Sequence, residues 1–116
     1  MTIGIDTSST STAVVVLDYR FIDYKLFSPK DKDLRARCFF IVGEVIRFVM
    51  QYPKDAKVML EAPAFMATGK VIDLSMLVGA VYYGLLALGY EVILVPPTSH
   101  KKTFTGSGYY RYKKLS

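Results

Sequence analysis

Asp6 and Glu61 each close a short apolar run, "IGID" in one case and "VMLE" in the other. The first is followed by a knot of small hydroxyl residues, Thr7 to Ser11, before a second apolar run begins at Thr12. A charge at the exit of a buried strand is costly unless it has a partner, often a cation. Two such acids side by side repel and desolvate each other unless a cation lies between them. Oxygen donors without Cys or His suit Mg²⁺ or Mn²⁺. The plainer alternative is an Asp that caps a turn and an exposed Glu ahead of Ala62-Pro63. The choice depends on whether the fold makes the two strand ends neighbours.

The pattern along the chain supplies that fold. Thr2 to Thr7 and Thr12 to Leu17 read as strands, and Asp18-Tyr19-Arg20 as a tight connection to a third strand over Phe21 to Phe27. Ser28-Pro29-Lys30-Asp31 is a helix-start signal. Leu34, Cys38, Ile41, Val45, Phe48 or Val49, and Tyr52 then recur at helical spacing, with Arg37, Glu44 and Gln51 on the opposite face, up to Pro53. Val58 to Leu60 is a short, wholly apolar run of the kind buried in parallel sheets. Ala62 to Lys70 reads as a loop. Val71 to Leu88 reads as a second helix, apolar nearly all round, whose small residues Gly79, Ala80, Gly84 and Ala87 allow close packing. Glu91 to Val95 is a last buried strand, stopped by Pro96-Pro97. The order β-β-β-α-β-α-β implies an α/β fold with a mixed five-stranded sheet and helices on its faces. In it, the strands ending at Asp6 and Glu61 run parallel as neighbours, with both acids at the carboxyl edge where open α/β sheets place their sites.

Composition narrows the function. A chain of 116 residues, 52% of them hydrophobic, makes one folded domain, residues 1–116. A single cysteine, Cys38, excludes an internal disulfide framework and CxxC-type zinc ligation. The opening Met1-Thr2-Ile3 has no basic region and runs straight into a strand, so the expectation is no signal peptide and a cytoplasmic setting. The helix from Val71 is barely long enough to span a bilayer and contains Asp73, so no membrane association is expected. The net charge of +5 comes entirely from the residues after Pro97: Lys101, Lys102, Arg111, Lys113 and Lys114, with no acid among them. They alternate with Phe104, Tyr109, Tyr110 and Tyr112. Cations that meet phosphates beside rings that stack on bases are the composition of a nucleic-acid surface; a solvated basic tail is the alternative.

The segments "IGIDTSSTSTAVVVLD", "VMLEAPAFMATGK" and "VPPTSHKKTFTGSG", in this order and at these separations, resemble those of the RuvC-type Holliday junction resolvases of the ribonuclease H-like superfamily, especially their phage-borne relatives. The resemblance covers nearly the whole chain. It implies a crossover junction endodeoxyribonuclease that works as a homodimer on branched DNA in a bacterial or phage-infected cytoplasm. Hydrolysis would use two metal ions, Mg²⁺ or Mn²⁺. Asp6 matches the first metal-binding aspartate of the family and Glu61 its second acidic ligand. Phe65 lies where the family carries an aromatic that stacks on bases at the junction centre. The resemblance implies further DNA contacts at Lys70, Lys101, Lys102, Thr105, Gly106, Gly108, Arg111 and Lys113. Lys101, Lys102 and the Thr105-to-Gly108 turn match the stretch that grips the backbone. Two departures stand out. After Gly108 the family continues with a small residue and a lysine, whereas this chain reads Tyr109-Tyr110-Arg111-Tyr112-Lys113. The family also completes its metal site with acids on a C-terminal helix, and no acid follows Glu91 here. The expectation is therefore a C-terminally incomplete or divergent domain that cuts poorly, with Asp73 the one substitute ligand in reach.

Two other readings share parts of the pattern. Actin-like ATPases, sugar kinases and the tRNA threonylcarbamoyl-modification proteins also open with a strand, an Asp and a Ser/Thr-rich hairpin that cradles ATP phosphates. A non-catalytic nucleic-acid-binding module would keep the sheet and the basic tail without a complete metal site. His100, after Pro96-Pro97, reads as a surface or phosphate contact rather than a catalytic group.

Overall fold

A computed structural model describes residues 1–62 and 71–96. The strands are β1 (Thr2–Asp6), β2 (Thr12–Asp18), β3 (Arg20–Phe27), β4 (Lys57–Glu61) and β5 (Glu91–Val95); the helices are α1 (Leu34–Val49) and α2 (Val71–Ala87). They form one five-stranded sheet in the order β3-β2-β1-β4-β5. β1 pairs antiparallel with β2 and parallel with β4, β2 is antiparallel to β3, and β4 is parallel to β5. The expected mixed sheet and its element order are therefore present.

Strand alternation sorts the side chains into two faces. Ile3 and Ile5 of β1, Val14 and Val16 of β2, and Val58 and Leu60 of β4 are fully buried in one cluster. Ile41, Val45 and Val49 of α1 and Leu77, Val81 and Leu85 of α2 belong to the same cluster. Both helices thus cover the same face. The connection rule explains this: the β3-α1-β4 and β4-α2-β5 crossovers move in the same direction across the sheet, so one handedness puts both helices on one side. The opposite face carries a smaller cluster, Val15 with Leu17, Tyr24 and Met59.

Element ends follow local chemistry. Tyr19 alone turns β2 into β3, with φ of 66°, so the third strand starts at Arg20 and not Phe21. The cap of α1 is Asp33, whose carboxylate accepts the Ala36 N–H, five residues beyond the start signal at Ser28. α1 stops at Val49, short of the expected Tyr52. Its last turn tightens, with Gln51 N–H on the Phe48 carbonyl and Tyr52 N–H on that of Val49. A following Pro53 disfavours the helical conformation at Tyr52. The Tyr90 hydroxyl lies 2.9 Å from the Val49 carbonyl and 2.7 Å from that of Tyr52, which ties the end of α1 to the residue that precedes β5. α2 closes through Gly89, at φ 98°, with the Tyr90 N–H bonded back to the Leu85 carbonyl.

Of the two glycines among the small residues expected to allow close packing in α2, one makes a close approach. A Cβ added to Gly84 would sit 2.7 Å from Ile46 Cδ1 of α1, whereas one added to Gly79 meets nothing within 4 Å. Among the described residues no helix is long and apolar enough to cross a membrane.

Candidate metal and nucleic-acid site

The sheet brings the exits of β1 and β4 together. Their parallel register runs from Thr2 opposite Lys57 to Ile5 opposite Leu60, and Asp6 and Glu61 are the next residue on each strand. Parity places them. Ile5 and Leu60 are buried beneath the helices, so Asp6 and Glu61 project to the opposite face, which carries no helix among the described residues. Both are half-buried. The Thr7 hydroxyl reaches back to the Glu61 carbonyl at 3.4 Å, and the Ala62 N–H bonds the Val95 carbonyl at 2.8 Å. The exits of β1, β4 and β5 are thereby laced along one edge.

The hydroxyl-rich loop that follows Asp6 is held by its own side chains. Among the described residues Thr12 is the one polar residue that is buried. Its hydroxyl donates to the Ser8 carbonyl at 2.8 Å and accepts the Ser8 N–H at 3.1 Å. The Ser8 hydroxyl accepts the Thr10 N–H and lies 3.0 Å from the Thr10 hydroxyl, and Ser11 bonds Ser28 at the end of β3. Arg37 Nε donates to the Ser9 carbonyl at 3.0 Å. Sequence reading placed Arg37 on the exposed face of its helix and missed this contact. The one available signal was position: the carboxyl edge must also hold the start of the helix that follows β3.

Asp6 and Glu61 are hard oxygen donors at one strand edge and on one face, a donor set that fits Mg²⁺ or Mn²⁺. Among the described residues no group of three or more His, Cys, Asp or Glu could hold a metal ion, so Asp73 does not join this pair. It lies 4.0 Å from Arg35 instead, in the first turn of α2. Cys38 is partly buried against the core. Burial pushes its thiol pKa up, Asp73 adds to the rise and Arg37 opposes it, so it is a poor nucleophile. Phe65, Lys70, His100, Lys101, Lys102, Thr105, Gly106, Gly108, Arg111 and Lys113 lie outside the described residues.

No protein-family model matches the chain, and no curated protein matches its sequence. Solved structures do match its fold. Thermus thermophilus RuvC in complex with a Holliday junction substrate superposes with a TM-score of 0.69 at 18% identity, covering 87% of this chain and 67% of that one. A second structure of Thermus thermophilus RuvC gives a TM-score of 0.66 at 19% identity over 93% of this chain and 70% of the other. The chain has the ribonuclease H-like fold of RuvC. The fold expected from the three segments is thus present, at a level of identity that carries the backbone and no residue roles.

Proposed function

We propose that this protein is a metal-dependent endonuclease that acts on branched DNA, with a four-way junction as its substrate. The observation that carries the reading is the placement of Asp6 and Glu61 at the exits of adjacent parallel strands, on one face of a RuvC-like sheet. These two carboxylates would hold Mg²⁺ or Mn²⁺. Bound there, the ion would lower the pKa of an attacking water and neutralise charge on the phosphodiester. The chain's own part is to fix the carboxylates. Strand pairing sets their spacing, the Thr7–Glu61 bond joins the two exits, and the Thr12 and Arg37 contacts stiffen the loop beyond Asp6. The basic, tyrosine-rich stretch after Pro97 supplies phosphate contacts and stacking surfaces. The ATP-cradle reading is disfavoured by the same loop: the Ser8 and Thr10 amides are already bonded to the Thr12 and Ser8 hydroxyls rather than open to a phosphate.

The protein works as a homodimer in this proposal. Between α1 and α2 a largely apolar groove of about 390 Å³ is lined by Cys38, Phe39, Val42, Met76, Leu77 and Ala80, together with the charged pair Arg35 and Asp73. Phe39 is 84% exposed at that groove and Met76 66%. A knob beside its own hole is self-complementary about a two-fold axis.

The test is binding and cleavage of a labelled four-way junction against linear duplex, with and without Mg²⁺ or Mn²⁺. Metal-dependent preference for the junction, lost in a folded Asp6→Asn variant, is the expected result. Junction binding with no metal-dependent cleavage would identify a non-catalytic binding module instead. Sedimentation of the wild type and Phe39→Glu tests the dimer: the variant should be monomeric.

A further inference from the structure

Arg37 closes the first turn of α1 and spends its guanidinium on backbone. Nε donates to the Ser9 carbonyl at 3.0 Å, and Nη1 to those of Asp31 at 2.9 Å and Lys32 at 3.0 Å. Among the described residues no carboxylate lies within 4.0 Å of it. The three acceptors belong to two segments that are distant in sequence: the loop that leaves Asp6, and the connection from β3 into α1. One planar, rigid fork therefore bolts the hairpin beyond Asp6 to the helix. Lysine, a point charge on a flexible stem, cannot make such a contact in the same way. Among the described residues, the other ties from this loop to the rest of the chain use Thr12, Ser28 and the Glu61 carbonyl, which are strand residues or lie beside strand ends. Among the described residues, Arg37 is the tie to a helix.

We propose that Arg37 is a positioning residue for the carboxylate edge: by clamping the loop at Ser9 to α1 it fixes the direction in which Asp6 leaves β1, and with it the cation affinity of the Asp6–Glu61 pair. The inference rests on the reading of that pair as a metal site. Its sign separates it from simple electrostatics. A guanidinium near a cation site repels the cation, so loss of Arg37 should tighten metal binding if charge alone acts. Loss of a clamp should weaken it, since residues that orient metal ligands are commonly worth about tenfold or more in affinity.

The experiment measures Mn²⁺ affinity of the full chain by calorimetry for the wild type, Arg37→Met, Arg37→Lys and Arg37→Ala, each checked for folding by circular dichroism. Amide exchange at Ser8 and Thr10 is followed in parallel. The expected result is weaker binding by about tenfold in Arg37→Met and an intermediate loss in Arg37→Lys. Exchange at the two loop amides should be faster, and millimolar guanidinium, but not sodium at equal ionic strength, should partly rescue Arg37→Ala. If Arg37→Met does not fold, the Arg37→Lys comparison decides. Unchanged or tighter Mn²⁺ binding in a folded variant overturns the positioning role while leaving the metal site standing. A wild type that binds no Mn²⁺ overturns the metal site itself, and the role of Arg37 with it.

Discussion

Replacing Thr12 by Val tests how the chain stiffens the loop beside Asp6. The two side chains have nearly the same shape, so the change removes a hydroxyl and little else. That hydroxyl makes two neutral hydrogen bonds, to the Ser8 N–H and the Ser8 carbonyl. Each is worth about 1 kcal/mol net, for a loss of about 2 kcal/mol. The new methyl is buried where Thr12 is now, which returns up to about 0.8 kcal/mol. Ser8 is only half-buried, so water reaches its freed groups and the loss does not climb to the full desolvation penalty. The net expectation is about 1 to 1.5 kcal/mol. In urea, with a slope of about 1 to 1.5 kcal/mol per molar, the midpoint should fall by about 1 M at constant slope. Thr10→Val is the control: Thr10 is exposed, and its loss should stay within about 0.5 kcal/mol. Equal midpoints for Thr12→Val and wild type would refute the reasoning, because they would mean that the buried hydroxyl does not hold the loop.

Glycines in the helices should respond oppositely to alanine. Gly43→Ala meets nothing within 4 Å and should gain about 1 kcal/mol from helix propensity, whereas Gly84→Ala meets Ile46 at 2.7 Å and should gain less or lose stability in urea melts. Tyr52 is pushed up to about 12, first by burial and then by its hydrogen bond to Asp23. Its contribution is complete below the unfolded value of about 10 and is lost as pH rises through 12, so stability should fall more steeply across that window in wild type than in Tyr52→Phe. For DNA binding, Lys101→Ala with Lys102→Ala should flatten the dependence of log affinity on log salt by roughly two units; an unchanged slope would remove these residues from the phosphate contacts.

The fold was legible because burial dictates pattern in this chain. The β-branched run from Thr12, the all-apolar Val58 to Leu60 and the helical recurrence from Leu34 to Val49 each match one environment, and each lies where its pattern placed it. Boundaries moved where a single residue's backbone intervened. Tyr19 turns the chain alone at positive φ, and a tightened turn before Pro53 ends α1 at Val49. Neither leaves a trace in hydrophobic spacing. Arg37 escaped for a different reason. Its seven-residue spacing with Glu44 and Gln51 marks the polar side of the helix, and that side meets a loop carbonyl three residues after Asp6. Contacts from side chain to distant backbone carry no periodicity, so nothing in the residue types announces them.

The acid pair shows how far parity reaches. Asp6 follows Ile5 and Glu61 follows Leu60, and both hydrophobic residues are fully buried beneath the helices. In a sheet of period two, the residue after a core position faces away from the core. The parallel register from Thr2–Lys57 to Ile5–Leu60 then makes the two acids lateral neighbours. A slip of one residue in either strand would turn its acid into the helix core, where a carboxylate is heavily penalised, and would turn its buried aliphatics out to water. The hydrophobic residues of β1 and β4 thus enforce both the pairing of these strands and the side on which their carboxylates emerge. This coupling explains why two acids 55 positions apart could be matched from sequence, while the loop contacts that hold their edge had to be seen in three dimensions.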